Sequence, residues 1–151
     1  MRDASRRAPR GAGHGGAVGG AVPGGAAGGR RTARGGLRAA ARGAGRSAVV
    51  VFTTTGSRAE AERLALVLVE ERLAACVNLI APLTSVYRWR GAVERAREVL
   101  LMIKTRRTLV PRVAARLQAL HSYEVPEVIA LPVVASARPY LAWLLGETGG
   151  R

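Results

Sequence analysis

The chain has 151 residues and a formal net charge of +14 at pH 7, from 24 Lys+Arg against 10 Asp+Glu. This length accommodates one ordinary domain, or one small domain and a tail. Cys76 is the only cysteine, which excludes an intrachain disulfide framework or an all-cysteine zinc site and suits a reducing compartment. No segment reaches the roughly 18 uninterrupted apolar residues of a membrane span, so we expect a soluble, cytoplasmic protein without membrane partners.

Charge and glycine content divide the chain near Ser47. Residues 1–47 hold 10 Arg, 14 of the 19 Gly and one acid, Asp3. Such a segment buries too little apolar surface to offset its ordering entropy, so we predict a disordered Gly/Ala/Arg-rich tail. Three interpretations of its role stay open: a nucleic-acid-binding arm, a transit peptide and a leader without function. We expect nucleic-acid binding nowhere else in the chain.

The first elements after the tail are a strand and a helix. Residues 49–54 form a β-branched and aromatic run typical of a central strand buried on both faces. Ser57 and Glu60 then form a capping box that starts a helix, which should end near Arg72. Its predicted buried positions follow helical spacing: Ala61, Leu64, Ala65, Leu68 and Val69.

A long antiparallel arm follows. Residues 75–89 read as a strand interrupted by Pro82, which cannot donate to a ladder and therefore predicts an edge or a bulge. Arg90 and Gly91 form a hairpin turn, and residues 93–104 return as the third strand. The outer half of this arm exceeds ordinary strand lengths, so we expect it to pair with another subunit in a closed oligomer.

The last elements are a helix, a strand and a short helix. Val110, Val113, Ala114, Leu117 and Leu120 repeat at helical spacing, with Pro111 in the first turn. Residues 128–134 form a fourth strand, which Pro132 marks as an edge. Ser136 is predicted to cap a final helix that presents Tyr140, Trp143 and Leu144 on one face.

The element order β-α-β-β-α-β-α predicts an α+β fold. Its natural closure is a ferredoxin-like split βαβ sandwich, βαββαβ plus a short C-terminal helix, preceded by the disordered tail. The second and fourth strands, which the prolines mark as edges, are the edge strands of that topology. We assign the domain to residues 48–146 and a flexible C-terminus to residues 147–151.

Conventional catalytic sets are missing from the sequence. His14 lies in the tail, His121 is the only other histidine, and no Asp follows Asp3, so a Ser-His-Asp triad cannot form. P-loop, dinucleotide and metal-spaced Cys/His motifs are absent as well. We therefore expect no enzymatic activity.

Several residues could still bind a ligand. Cys76 and His121 offer soft and borderline metal ligands, and the oxygens of Glu124 and Glu127 suit a hard cation. For each of these residues a purely structural role, in the core or in a solvated turn, is more common in proteins than a role as a ligand. Lys104, Arg106 and Arg107 could hold an anion. Tyr87 and Trp89 alternate onto one face of the arm, as residues at subunit contacts do.

Four segments resemble the CutA family of divalent-cation tolerance proteins: AACVN at 74–78, SVYRWRG at 85–91, VLLMIKT at 99–105 and HSYEVPE at 121–127, followed by ALPV. The resemblance covers residues 48–146. It implies a ferredoxin-like homotrimer with its sheets joined edge to edge, a role in tolerance of divalent metals, copper above all, and no catalysed reaction or required cofactor.

The resemblance also implies site residues. Positions matching the family pattern include Pro126, a metal set of His121, Cys76 and Glu127, and an intersubunit cleft of Tyr87, Trp89, Lys104, Tyr123 and Trp143. Some members have a cysteine in the first strand and two adjacent histidines, where this chain has Thr53 and Leu120-His121. We therefore expect at most weak copper binding.

Two other functions are alternatives to this one. A trimeric nucleotide-binding module like the PII regulators would use Lys104, Arg106 and Arg107 for phosphates. A hydrolase of the acylphosphatase kind would need a phosphate-cradling loop after the first strand, and residues 53–57 do not provide an evident one.

Overall fold

The structure, a computed structural model, describes residues 47–149. The predicted disordered tail lies outside the described residues, except for Ser47. The strands are β1 (Ala48–Thr55), β2 (Cys76–Trp89), β3 (Ala92–Arg106) and β4 (Ile129–Pro132). The helices are α1 (Arg58–Glu70), α2 (Val110–Leu120) and α3 (Arg138–Glu147), and a single 3-10 turn, Arg107–Leu109, precedes α2. No helix among these residues is long and apolar enough to cross a membrane.

The four strands form one antiparallel sheet in the order β2-β3-β1-β4. The predicted α+β ferredoxin-like topology is thereby confirmed, with β2 and β4 at the edges. At Pro82 the pairing of β2 with β3 shifts register, between Ile80 and Leu83, as the proline predicted. The hairpin turn is also as expected: Arg90 has φ 47° and Gly91 φ 86°, the left-handed pair of a two-residue hairpin.

The hydrophobic core lies between one face of the sheet and the helices α1 and α2. It contains alternate residues of β1 and β3 packed against the apolar stripes of both helices: Val49, Val51, Leu101, Ile103, Leu64, Leu68, Val113 and Leu117. The prediction that β1 is buried on both faces was wrong in the single chain. Val50, Phe52 and Thr54, which point to the other face, are only half-buried.

The opposite face of the sheet, termed here the open face, is built from rows of facing residues. One row runs Cys76, Lys104, Val50 and Leu131. The next runs Asn78, Met102, Phe52 and Ile129, and a third begins Ile80, Leu100 and Thr54. Helix α3 covers the end of this face near Ala48, through Leu141 and Leu144.

Four local predictions need correction. Ala137, not Ser136, is the N-cap of α3 and makes no side-chain cap bond, since the Ser136 hydroxyl donates to the Ala137 carbonyl. Tyr140 and Trp143 stay 42% and 43% exposed, because Leu141 and Leu144 face the sheet instead. Val69 of α1 is likewise exposed rather than buried.

The fourth correction concerns the C-terminus, where the predicted domain boundary at Gly146 comes too early. Thr148 is 3% exposed, and its hydroxyl donates to the Leu144 carbonyl at 2.8 Å. The Gly149 amide donates to the Arg72 carbonyl at 3.0 Å. Residues 147–149 are therefore packed against the domain.

Candidate functional site

The turn between α2 and β4, residues 121–127, carries most of the predicted ligand groups. Its first residue, His121, has a fully buried side chain. The Tyr123 amide donates to His121 Nδ1 at 3.0 Å, and His121 Nε2 lies 2.9 Å from the Thr54 carbonyl oxygen. Both ring nitrogens thus have partners from the backbone.

One tautomer of the ring satisfies both of these contacts. Because Nδ1 accepts the Tyr123 amide hydrogen, it carries no proton of its own, and Nε2 must then hold the hydrogen donated to the Thr54 carbonyl. A metal bound at Nδ1 would displace the Tyr123 amide. A metal bound at Nε2 would displace the ring hydrogen and leave the Thr54 carbonyl without its donor. In this arrangement His121 is a structural residue of the turn.

Glu60 ties the same turn to the start of α1. The Ser57 hydroxyl accepts from the Glu60 amide at 3.2 Å, as the capping box predicted. The Glu60 carboxylate does not complete the box. It accepts instead from the Ser122 amide at 2.7 Å and the Ser122 hydroxyl at 2.8 Å, so the predicted local cap residue is used to anchor a loop 62 positions away.

Tyr123 makes a third anchor. Its hydroxyl donates to Glu98 Oε1 at 2.7 Å, and its ring lies 4.8 Å from the His121 ring, centroid to centroid. Glu98, on β3, is only 7% exposed. Sequence reasoning missed both Glu98 and the loop-anchoring role of Glu60, because neither strand alternation nor capping rules indicate a tertiary partner.

Cys76 lies elsewhere, in a polar cluster on the open face. Lys104 Nζ and Asn78 Nδ2 each lie 3.7 Å from Cys76 Sγ, and Lys104 Nζ also donates to Asn78 Oδ1. Cys76 and Lys104, the only cysteine and the only lysine of the chain, are directly paired across β2 and β3.

The predicted metal set does not converge within one chain. Cys76 sits in the row of Val50, whereas His121 contacts Thr54, four residues along β1, or about 13 Å in the strand direction. Glu127 stays in the turn, half-buried. In the described part of the chain, no group of three or more His, Cys, Asp or Glu is arranged to hold a metal ion.

The predicted cleft residues also spread over the domain. Tyr87 on the distal arm donates to Glu94 at 3.3 Å, and Trp89 lies under the Arg90 guanidinium, 6.0 Å from the ring centroid. Lys104 is at the other end of β3. Trp143 packs on Tyr140 of α3, with ring centroids 5.4 Å apart.

The basic residues proposed for an anion site are engaged internally. Arg106 donates to the Thr148 hydroxyl at 3.0 Å and to the Leu145 carbonyl, and so fastens α3 to β3. Lys104 contacts Asn78 and Cys76. These contacts count against a phosphate site built from Lys104, Arg106 and Arg107. A phosphate-cradling loop after β1 is also absent from this region, since only residues 56 and 57 separate β1 from α1.

The fold and its anchored turn define a class: a ferredoxin-like α+β domain with a long hairpin arm and an open sheet face. A family model described as "CutA1 divalent ion tolerance protein" matches residues 49–147. The chain belongs to the CutA family of divalent-cation tolerance proteins, as its sequence motifs predicted.

Individual relatives agree with this assignment. The divalent-cation tolerance protein CutA of Thermus thermophilus is 49% identical over 100 residues, 66% of this chain and 97% of that relative. Human protein CutA is 48% identical over 98 residues, 65% of this chain but 55% of its own length. The chain therefore spans about half of the longer relatives that it matches.

Solved structures show the same fold. The divalent cation tolerance protein of Thermus thermophilus, 48% identical, superposes with a TM-score of 0.67 over 68% of this chain and 99% of its own. CutA1 from Oryza sativa, 41% identical, gives a TM-score of 0.68 over 70% of this chain and 96% of its own.

Proposed function

We propose that this chain acts as a homotrimeric divalent-cation tolerance protein in the cytoplasm and catalyses no reaction, with copper the first ion to test. Family membership supports the tolerance role. The observation that supports the assembly is the open face of the sheet, whose apolar side chains are left partly exposed by residues 47–149.

The open face has the composition of an interface between copies. Ile80, Ile129 and Leu131 are 45%, 51% and 50% exposed. Ile129 lies in the row of half-buried Phe52 and Met102, and Ile80 and Leu131 lie in the two neighbouring rows. Monomeric soluble proteins rarely expose contiguous apolar patches of this kind. The outer edges of β2 and β4 offer unpaired backbone groups that another chain can extend.

A direct test is the native mass of the full-length chain, measured together with light scattering at micromolar concentration. We expect three subunits. Leu131→Lys with Ile129→Lys should disrupt the assembly, because two charges would enter the apolar rows. A matched pair on the exposed face of α1, Leu66→Lys with Val69→Lys, should leave the mass unchanged. A monomeric native protein contradicts the proposed assembly.

Copper binding should be weak. His121 uses both ring nitrogens in backbone contacts, so Cys76 is the soft ligand that remains available, and a single thiol makes a poor selective site. We expect no stoichiometric sub-micromolar site for copper in calorimetry. Finding such a site, and losing it in His121→Ala, would overturn this part of the proposal.

The nucleotide-binding alternative is not favoured, because the cations it requires are engaged in the fold. Calorimetry with ATP and with ADP separates the two functions. No heat is expected for either nucleotide, and saturable binding would support the alternative.

A further inference from the structure

His121 is a buried titratable side chain that the proposed function does not use. In the neutral ring Nδ1 accepts the Tyr123 amide at 3.0 Å, while Nε2 donates to the Thr54 carbonyl at 2.9 Å. Histidine side chains change charge between about pH 5 and pH 8. The surroundings of Nδ1 therefore decide what happens to the turn when the ring gains a second proton.

A carboxylate lies beside the nitrogen that would gain this proton. Glu60 Oε1 is 3.8 Å from His121 Nδ1, about 1 Å beyond an ordinary N–H···O hydrogen bond. The Glu60 side chain is only 11% exposed, so water and salt screen this pair little. Glu60 Oε1 already accepts the Ser122 amide, but a carboxylate oxygen has a second lone pair with which it can accept from the ring.

The other charged and polar groups near the ring come from α1, the turn, β3 and β1. Arg63 of α1 lies 4.0 Å from Glu60 Oε1, but its side chain is 49% exposed, so water weakens its effect on the pair. The Tyr123 ring packs on the imidazole, and Glu98 of β3 lies behind it, on the Tyr123 hydroxyl. From β1 comes the Thr54 carbonyl, to which Nε2 can donate in either charge state.

Neutral and protonated rings use Nδ1 in incompatible ways. The neutral ring accepts the Tyr123 amide there, whereas a protonated ring would direct one N–H at another across the same 3.0 Å. Two donors cannot share a hydrogen bond, and a buried donor without an acceptor costs free energy. Turning Nδ1–H toward the Glu60 carboxylate removes this conflict and pairs the buried positive charge with an anion.

We propose that His121, Glu60 and the Tyr123 amide form a pH-sensitive switch of the turn 121–127. In the neutral state the ring holds the Tyr123 amide and the turn is closed. In the protonated state Nδ1 donates to Glu60, the Tyr123 amide loses its acceptor, and the turn loosens ahead of β4. All three groups belong to one chain, so the switch requires neither the proposed trimer nor a bound metal.

The test is a titration of the 15N-labelled full-length protein from pH 8 to pH 5, followed by NMR of the ring nitrogens and the backbone amides. The chain has two histidines, and His14→Gln identifies the signals of the one in the tail. At pH 8 we expect the proton of the His121 ring on Nε2.

As Nδ1 becomes protonated, the Tyr123 amide should exchange with water about five- to tenfold faster, because it loses one hydrogen bond. The His121 amide, which donates to the Leu117 carbonyl at 2.9 Å, should keep its protection.

Glu60→Gln tests the partner of the ring. It keeps an oxygen for the Ser122 amide but removes the anion, so protonation of the ring and loss of Tyr123 protection should move together to lower pH. The matched control, Glu62→Gln, removes an exposed carboxylate of the same helix and should behave as the native protein. Tyr123→Phe breaks the bond to Glu98 but keeps the amide, so the transition should persist and is thereby separated from a titration of Glu98.

Any of five results would overturn the proposal. The His121 ring could stay neutral at pH 5, or carry its single proton on Nδ1 at pH 8. The Tyr123 amide could keep its protection while the ring is protonated. The Glu60 and Glu62 variants could respond alike. Simultaneous loss of protection at the Tyr123 and His121 amides would show general unfolding in place of a switch.

Discussion

The Tyr123 hydroxyl donates to Glu98 Oε1 at 2.7 Å and so joins the turn before β4 to a strand 25 residues earlier. Glu98 is 7% exposed, so folding removes this residue almost completely from water. The turn that the family motif marks is therefore held by a buried hydrogen bond to a carboxylate. Removing this bond should change the free energy of unfolding by a measurable amount.

Tyr123→Phe should lower the free energy of unfolding by about 1 to 3 kcal/mol, because the buried carboxylate loses its donor. Urea denaturation at fixed protein concentration measures the change. Tyr87→Phe is the matched control: its hydroxyl donates to half-buried Glu94 at 3.3 Å, and we expect a loss of about 0.5 kcal/mol or less. Equal losses in the two variants would contradict the role assigned to Glu98.

Thr53→Val should stabilise the protein by about 1 kcal/mol. Thr53 is fully buried, and its Oγ1 is the buried side-chain atom without a hydrogen-bond partner among the described residues. Thr105→Val provides the contrast, because the equally buried Thr105 hydroxyl donates to the Leu73 carbonyl at 2.6 Å. That variant should lose about 1 to 3 kcal/mol in thermal or urea unfolding. A destabilised Thr53→Val would show that its hydroxyl has a partner in solution.

His121→Ala should cost about 3 kcal/mol of stability, since it removes a buried ring and leaves the Tyr123 amide and the Thr54 carbonyl without that partner. Copper binding should not change, whereas Cys76→Ser should reduce whatever weak copper binding the native protein shows. Calorimetric copper titration of both variants, beside their urea denaturation curves, checks this separation of roles. The opposite pattern would make His121 a ligand.

Gly91→Ala should destabilise the protein by about 1 kcal/mol, because Gly91 has φ 86°, where an L side chain is strained. Gly146→Ala should act in the opposite direction and stabilise by about 0.5 to 1 kcal/mol. Gly146 lies inside α3 and a Cβ there meets nothing within 4 Å, so helix propensity decides the sign. Differential scanning calorimetry of the two variants tests the pair, and a shared sign would contradict the turn geometry.

Local rules were sufficient for the architecture. Pro82 and Pro132 marked the two edge strands, Arg90 and Gly91 marked the hairpin, and Ser57 marked the start of α1. Each of these signals depends on backbone geometry within a few residues, so it can be read from the chain without knowing what packs against it. The family motifs then gave the assignment that the comparisons confirmed.

The site depended on partners that the sequence does not indicate. Glu60 fulfils the spacing of a capping box, yet its carboxylate binds Ser122, because the folded loop offers two donors at once. Tyr140 and Trp143 fit one helical face, yet Leu141 and Leu144 are the residues that reach the sheet.

By itself, the sequence of this protein determined the order of its elements, the edges of its sheet and its family, because periodicity, prolines and turn residues act over short distances. Only the tertiary structure decided that His121 is a backbone anchor rather than a free ligand and that the Glu60 carboxylate lies beside its ring. The reason is physical: a side chain's role follows from the atoms it meets, and those come from segments far apart in the chain.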